Sequence, residues 1–200
     1  YKPVRPLLDV DNPYTIGPLD LYDFYHEHKR NQWEAYGPAK QAVAEVGKAF
    51  GERFGREYGL IEPYYLDDAE LVIVAMSSTA GTVKDVIEQR REKGDKVGLL
   101  KIRCFRPFPA EEIADALSNA KAVAIMDRAA SFGGGYGPVY PEVLAALYTQ
   151  GKRVPTVDYI YGLGGRMIVP EDIHQVYDEL APVAAAGAPV AEARWLGVRE

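Results

Sequence analysis

The chain has 200 residues, 48% of them apolar and 26% charged, with a formal net charge of −6. That length carries a sizeable core without covalent staples, and an acidic balance with no basic block excludes a nucleic-acid-binding class. No run reaches membrane-spanning length and no signal-like segment opens the chain, so no membrane partner is expected.

Cys104 is the single cysteine. It excludes an internal disulfide framework and a cysteine-ligated iron–sulfur cluster held by this chain alone. A lone thiol fits a reducing compartment, and the expected location is the cytoplasm. In its apolar-basic strand the thiol reads as a packed group rather than a reactive one. His26, His28 and His174 have no cysteine partners at zinc spacing, and no metal site is expected. The chain opens on Tyr1 rather than Met and reads as a portion of a longer polypeptide.

Residues 1–35 read as an interdomain lead-in. Pro3, Pro6, Pro13 and Pro18 argue against a long helix, and Asp11-Asn-Pro and Gly17-Pro mark turns. Yet Tyr14, Leu19, Leu21, Tyr22, Phe24, Tyr25 and Trp33 are too apolar for a free tether, so the segment is expected to lie extended on a surface. From about residue 36 to 57 the period becomes helical, with Ala39, Ala42, Val43, Val46, Ala49, Phe50 and Phe54 on one stripe and Pro38 in the first turn.

Four apolar runs follow as strand candidates, at 71–76, 97–103, 122–126 and 156–160. Helical patterns separate or follow them at 82–93, 110–116, 142–148 and 171–180. Near-continuous apolar strands alternating with helices predict an α/β fold: a three-layer α/β/α domain over residues 36–200 with a mostly parallel sheet. Residues 182–200, rich in Ala and Pro, read as a tail of doubtful order that Trp195-Leu196 docks.

Three strand-end loops carry the candidate chemistry. Asp127-Arg128-Ala-Ala-Ser131-Phe132-Gly133-Gly134-Gly135-Tyr-Gly137-Pro leaves a buried strand and turns into a helix, with four glycines that let another surface approach closely. Its spacing is not Gly-x-Gly-x-x-Gly, so it is not a dinucleotide fingerprint. Asp127-Arg128 reads either as a functional pair or as a strand-end salt bridge or turn. Ser77-Ser78-Thr79-Ala-Gly81-Thr82 precedes a helix and reads either as an anion site or as ordinary Ser/Thr capping. Gly162-Leu-Gly164-Gly165-Arg166 ends the last strand, with Arg166 offering a bidentate fork or pairing with Asp127 or Glu171. Arg103 and Arg106 either contact a neighbouring chain or lie in an exposed turn. Loops following parallel strands emerge on one sheet edge, so Asp127, Arg128, Ser131, Gly133–Gly135 and Arg166 are expected to form one surface. Phe132, Gly162, Gly164 and Gly165 complete that set.

The Asp127–Pro138 stretch resembles the C-terminal half of the alpha subunit of pyruvate:ferredoxin oxidoreductase (pyruvate synthase) and related 2-oxoacid:ferredoxin oxidoreductases. Tyr159-Ile-Tyr-Gly-Leu-Gly-Gly-Arg166, the 77–82 loop, Arg106-Pro-Phe-Pro109 and the lead-in from Leu19 to Glu34 carry the same resemblance in the same order. It implies a transketolase C-terminal-like fold. It also implies a complete enzyme that converts pyruvate, CoA and oxidised ferredoxin to acetyl-CoA, CO2 and reduced ferredoxin, using thiamine diphosphate, Mg and iron–sulfur clusters. No Gly-Asp-Gly with a downstream Asn-Asn, the pattern the resemblance associates with magnesium–diphosphate binding, occurs in this chain. Cofactors and catalytic residues are therefore expected on other domains or subunits, which are also its expected partners. The alternatives are a small-anion or nucleotide-binding module and, within the family, specificity for 2-oxoglutarate, branched 2-oxoacids or oxalate.

Overall fold

The computed structural model describes residues 9–13, 16–17 and 19–199. Tyr14, Pro3, Pro6 and Pro18 of the lead-in lie outside the described residues. The chain divides into two compact units, Tyr1–Gly37 and Pro38–Glu200.

In the first unit, Asp9 Oδ1 accepts the Asp11 and Asn12 amides at 3.1 and 3.2 Å, closing the turn expected there. Helix α1, Tyr25–Phe54, begins eleven residues before the helix expected at 36. The described residues between Leu19 and Gly37 include no proline, so the argument against a helix did not reach them. The amide of Tyr25 bonds the Leu21 carbonyl at 3.0 Å, and His28 Nδ1 meets Asp20 Oδ1 at 2.8 Å. Leu19, Leu21, Tyr22, Phe24 and Trp33 are exposed.

Pro38 lies inside α1 rather than at its start. In the second unit α1 buries only Gly47, where an added Cβ would sit 1.9 Å from the Tyr58 carbonyl oxygen. The helix approaches the 55–60 turn this closely because position 47 has no side chain. Phe50 packs on Phe54 and Tyr58, whereas Val43 and Val46 of the expected stripe remain exposed.

The sheet has six strands: β1 Ile61–Tyr64, β2 Leu71–Met76, β3 Val97–Ile102, β4 Ala122–Asp127, β5 Thr156–Ile160 and β6 Arg194–Trp195, in the order β1-β3-β2-β4-β5-β6. Only β1 runs antiparallel. Alternation along each strand builds two cores. Ile73, Leu99, Ala124 and Val157 pack with α2 (Thr79–Arg91) and α5 (Pro170–Ala186). Val74, Leu100, Val123 and Ile125 pack with α3 (Ala110–Ala116) and α4 (Val139–Thr149). This is the expected three-layer α/β/α domain. The expected tail is ordered instead: α5 runs through Pro182 to Ala186, and β6 then adds to β5 with Leu196 buried.

Strand β2 lies between β3 and β4, so the crossovers β2 to β3 and β3 to β4 run in opposite directions, and their helices cover opposite faces. The carboxyl ends of β2 and β4 are therefore the switch point of the sheet, where open α/β folds meet ligands and partners.

Edge strand β1 is held by charge. Glu62 accepts from Lys84 on α2 and from Arg103 Nη2 at 2.6 Å, with Lys101 at 3.9 Å. Burial alone would raise the Glu62 pKa, but the Lys84 and Arg103 contacts outweigh it and hold the carboxyl below its usual range. Glu62→Gln is expected to lower unfolding free energy by about 1–3 kcal/mol, the scale of a charged hydrogen bond. The lowered pKa means this stability is present above the unfolded carboxylate range and fades as pH falls. Urea unfolding at neutral and acid pH measures both.

Candidate functional site

Strand β4 carries Asp127 at its last position, with only 2% of its surface exposed. Its carboxylate does not pair with Arg128. Both oxygens accept the Val139 amide, at 3.1 and 3.0 Å, and Oδ2 also accepts the Tyr140 amide at 3.2 Å. On β5, Asp158 is fully buried, and its Oδ2 accepts the Gly137 amide at 2.7 Å. Pro138, the residue before α4, supplies no side-chain cap. Asp127 thus satisfies amides that helix α4 leaves open at its N-terminus, where negative charge is also favoured by the helix dipole, and Asp158 holds the loop just before it.

Gly137 sits between them. A Cβ there would lie 2.3–2.4 Å from the Asp127 carboxyl group, so only glycine allows the loop this close. Burial pushes the Asp127 carboxyl up against the opposing pull of the Val139 and Tyr140 amides. Burial also pushes Asp158 up, to about 6, with the Gly137 amide opposing and the neighbouring Asp127 charge adding. Asp158 Oδ1 is buried without a hydrogen-bond partner.

Arg128 points away from this pair and is exposed. Its guanidinium lies 5.9 Å from the centroid of the Tyr161 ring. Tyr161 is buried, and its hydroxyl meets Thr79 Oγ1 at 2.6 Å. This contact ties the loop after β5 to the first residue of α2. Gly162 has φ +64°, and a Cβ there would lie 2.9 Å from Arg128 Nε and 3.3 Å from the Arg166 carbonyl oxygen. Arg128 and the Gly162–Arg166 loop therefore share one surface, and Thr79 adjoins it through Tyr161.

Within the long loop, the Gly134 amide bonds the Ser131 carbonyl at 3.1 Å and the Ser131 amide bonds the Tyr136 carbonyl at 3.3 Å. Ser131, Phe132 and Gly133–Gly135 are exposed, and Phe132 is fully so. Leu163–Gly165 form one 3-10 turn, in which Gly164 and Gly165 also take positive φ.

Several readings of single residues change. Ser78 takes helical backbone angles and makes no side-chain cap of α2, and Thr79 turns its hydroxyl to Tyr161 instead. Ser77, Ser78 and Gly81 are exposed, and Thr82 is half-buried in the first turn of α2. Arg166 meets neither Asp127 nor Glu171; its Nη1 donates to the Gly197 carbonyl. Arg106 pairs with Glu142 on α4 and stacks on Phe105 at 4.2 Å, and Arg103 serves Glu62. Cys104 Sγ lies 3.4 Å from the Pro107 carbonyl. Asp158 and Tyr161 were not singled out from the sequence. A lone Asp within the apolar run 156–160 was the available signal, since a buried charge needs a partner.

Among the described residues no group of three or more His, Cys, Asp or Glu side chains is placed to hold a metal ion, and no helix is long and apolar enough to cross a membrane. The arrangement sets a guanidinium and a glycine loop with an exposed phenylalanine along one sheet edge, with a buried acidic pair anchoring that loop.

A parallel α/β/α domain with this edge at its switch point defines a class built to present loops. The particular family follows from comparison. A model described as pyruvate:ferredoxin oxidoreductase core domain II matches residues 69–173. The pyruvate synthase subunit PorA of Thermotoga maritima is 48% identical over 200 residues, 100% of this chain and 50% of that protein. Ketoisovalerate oxidoreductase subunit VorA of Pyrococcus abyssi is 40% identical over 195 residues, 97% of this chain and 49% of that protein. PorA of Methanosarcina barkeri is 40% identical over 201 residues, 99% and 50% of the two chains. A 2-oxoglutarate:ferredoxin oxidoreductase from Magnetococcus marinus superposes on 68% of this chain and 21% of its own at a TM-score of 0.49 and 17% identity. The chain belongs to the alpha-subunit family of the 2-oxoacid:ferredoxin oxidoreductases. It spans about half the length of the curated relatives it matches.

Proposed function

We propose that this chain is a domain of the alpha subunit of a pyruvate:ferredoxin oxidoreductase, and that its role in the enzyme is architectural. The observation that carries the reading is the match along the whole chain, at 48% identity, to a pyruvate synthase subunit. The complete enzyme oxidatively decarboxylates pyruvate and transfers the acetyl group to CoA, passing two electrons to ferredoxin. Thiamine diphosphate, Mg and iron–sulfur clusters belong in this reading to other domains and subunits, because the donor set here does not fit them: one thiol, and no clustered ligands among the described residues. The cytoplasm is the setting that this chemistry and the lone thiol fit.

In this assembly the lead-in, 1–35, serves as the connection to a preceding domain, and residues 36–200 form the transketolase C-terminal-like domain. The edge formed by Arg128, Ser131–Gly135 and Gly162–Arg166, with the buried Asp127 behind it, faces the rest of the enzyme.

The ketoisovalerate relatives at 40% identity favour a second reading, a branched 2-oxoacid as substrate. Assay of the complete enzyme with CoA and ferredoxin separates the two. Pyruvate is expected to exceed 3-methyl-2-oxobutanoate in kcat/KM by about tenfold or more, a gap of ~1.4 kcal/mol in transition-state binding. The reverse order assigns the branched substrate, and reduction of ferredoxin with neither ends the reading.

A further inference from the structure

Arg128 is set apart from the other arginines of the carboxyl edge. Arg106 pairs with Glu142 and Arg166 donates to Gly197. The Arg128 guanidinium lies 5.9 Å from the Tyr161 ring centroid and has no ion pair or hydrogen bond among the described residues. Its setting is defined by its neighbours. Tyr161 is 4% exposed and locked to Thr79, and Gly162 leaves the space in which the Arg128 side chain lies. A guanidinium offers a planar fork of donors that matches a carboxylate. Its position is the switch point between β2 and β4.

The surroundings are apolar. Phe132 in the same loop is fully exposed, and Leu163 and Met167 beyond the next strand are exposed as well. Exposed apolar groups on the loops that flank an unpaired cation fit a protein surface better than a free metabolite. Two cavities of about 480 and 460 Å³ are lined by other residues.

Building on the proposed alpha-subunit role, we infer that Arg128 anchors a protein–protein contact in which a carboxylate on a neighbouring domain or subunit of the same enzyme takes its guanidinium while Phe132 packs alongside. The contact pairs a positive fork with a negative side chain and excludes water with the phenylalanine ring.

Hydrogen–deuterium exchange on the complete enzyme tests this. The amides of Ala129, Ala130, Phe132, Gly133 and Gly135 have no internal partner among the described residues, so they report only on what covers the loop. In the assembled wild-type enzyme they are expected to be protected. Arg128→Glu is expected to speed their exchange by about tenfold or more and to lower the salt concentration at which the assembly dissociates. Phe132→Ala is expected to speed the same amides without changing the salt dependence. Unprotected wild-type amides overturn the inference, as does Arg128→Glu that leaves loop exchange and salt sensitivity unchanged. Protection that appears only when millimolar inorganic phosphate is added, and is lost in Arg128→Glu, also overturns it in favour of a small-anion site. Turnover of the wild-type enzyme is read separately: a failure there counts against the proposed reaction and leaves the exchange result decisive for the contact.

Discussion

Asp127→Ala is expected to destabilise the domain by about 3–5 kcal/mol, the upper range for a single substitution. The carboxylate accepts the Val139 and Tyr140 amides in a buried site, and alanine leaves both without a partner. Each orphaned buried donor costs about 1–3 kcal/mol, and the lost charge at the start of α4 removes up to ~2 kcal/mol more. Asp127→Asn keeps one acceptor oxygen but turns an amide toward backbone donors, so a smaller but substantial loss is expected. Gly137→Ala reaches the same contacts from the other side by driving a Cβ into the carboxylate. Urea denaturation of the three variants provides the measurement. A loss below ~1 kcal/mol for Asp127→Ala would show that water or a shifted backbone replaces the carboxylate at no great cost.

Asp158→Asn is expected to gain on the wild type as pH rises. The Asp158 pKa stands at about 6 in the fold against about 4 when unfolded. A raised acid pKa means the folded chain holds the proton more tightly, so this group supports stability fully below pH ~4 and loses that support as pH climbs through 6. A rise of about two units corresponds to roughly 3 kcal/mol. Asparagine keeps an acceptor for the Gly137 amide and cannot ionise. The groups facing Asp158 are Asp127 on β4, whose charge opposes its ionisation, and Tyr140 on α4. The difference in unfolding free energy between variant and wild type should therefore grow by roughly 2 kcal/mol between pH 4 and 7, whatever constant offset the amide introduces. A difference independent of pH would mean that Asp158 ionises as freely in the fold as outside it. Carboxylates such as Glu62 and Glu179 have lowered pKa values and act in the opposite direction in both proteins, so they cancel in the comparison.

The parallel sheet was legible because β2, β4 and β5 are buried on both faces and read as unbroken apolar runs. The shared edge was legible for the same reason, since parallel strands place their following loops together. Strands β1 and β6 were not read as strands, because four residues containing a proline and two residues near the end show no periodicity of their own. Long-range pairing with β3 and β5 creates them. The start of α1 was hidden by large aromatic residues that resemble a surface-docked segment. Asp158 was hidden because its significance lies in Gly137, 21 residues away. Ser78 misled because local capping is the commoner use of such a residue, whereas here Thr79 answers to Tyr161, 82 residues on.

The two outer strands also govern how this chain behaves in a crowd. An unpaired strand edge invites another molecule to add a strand, and long flat edges seed aggregation. Here one edge is β1, where Pro63 has no amide to donate and Glu62 is engaged by Lys84 and Arg103. The other is β6, only two residues long. Neither offers the ladder of donors and acceptors that an incoming strand needs. The sheet is closed to growth at both ends, so a passing chain finds no ladder on which to extend it.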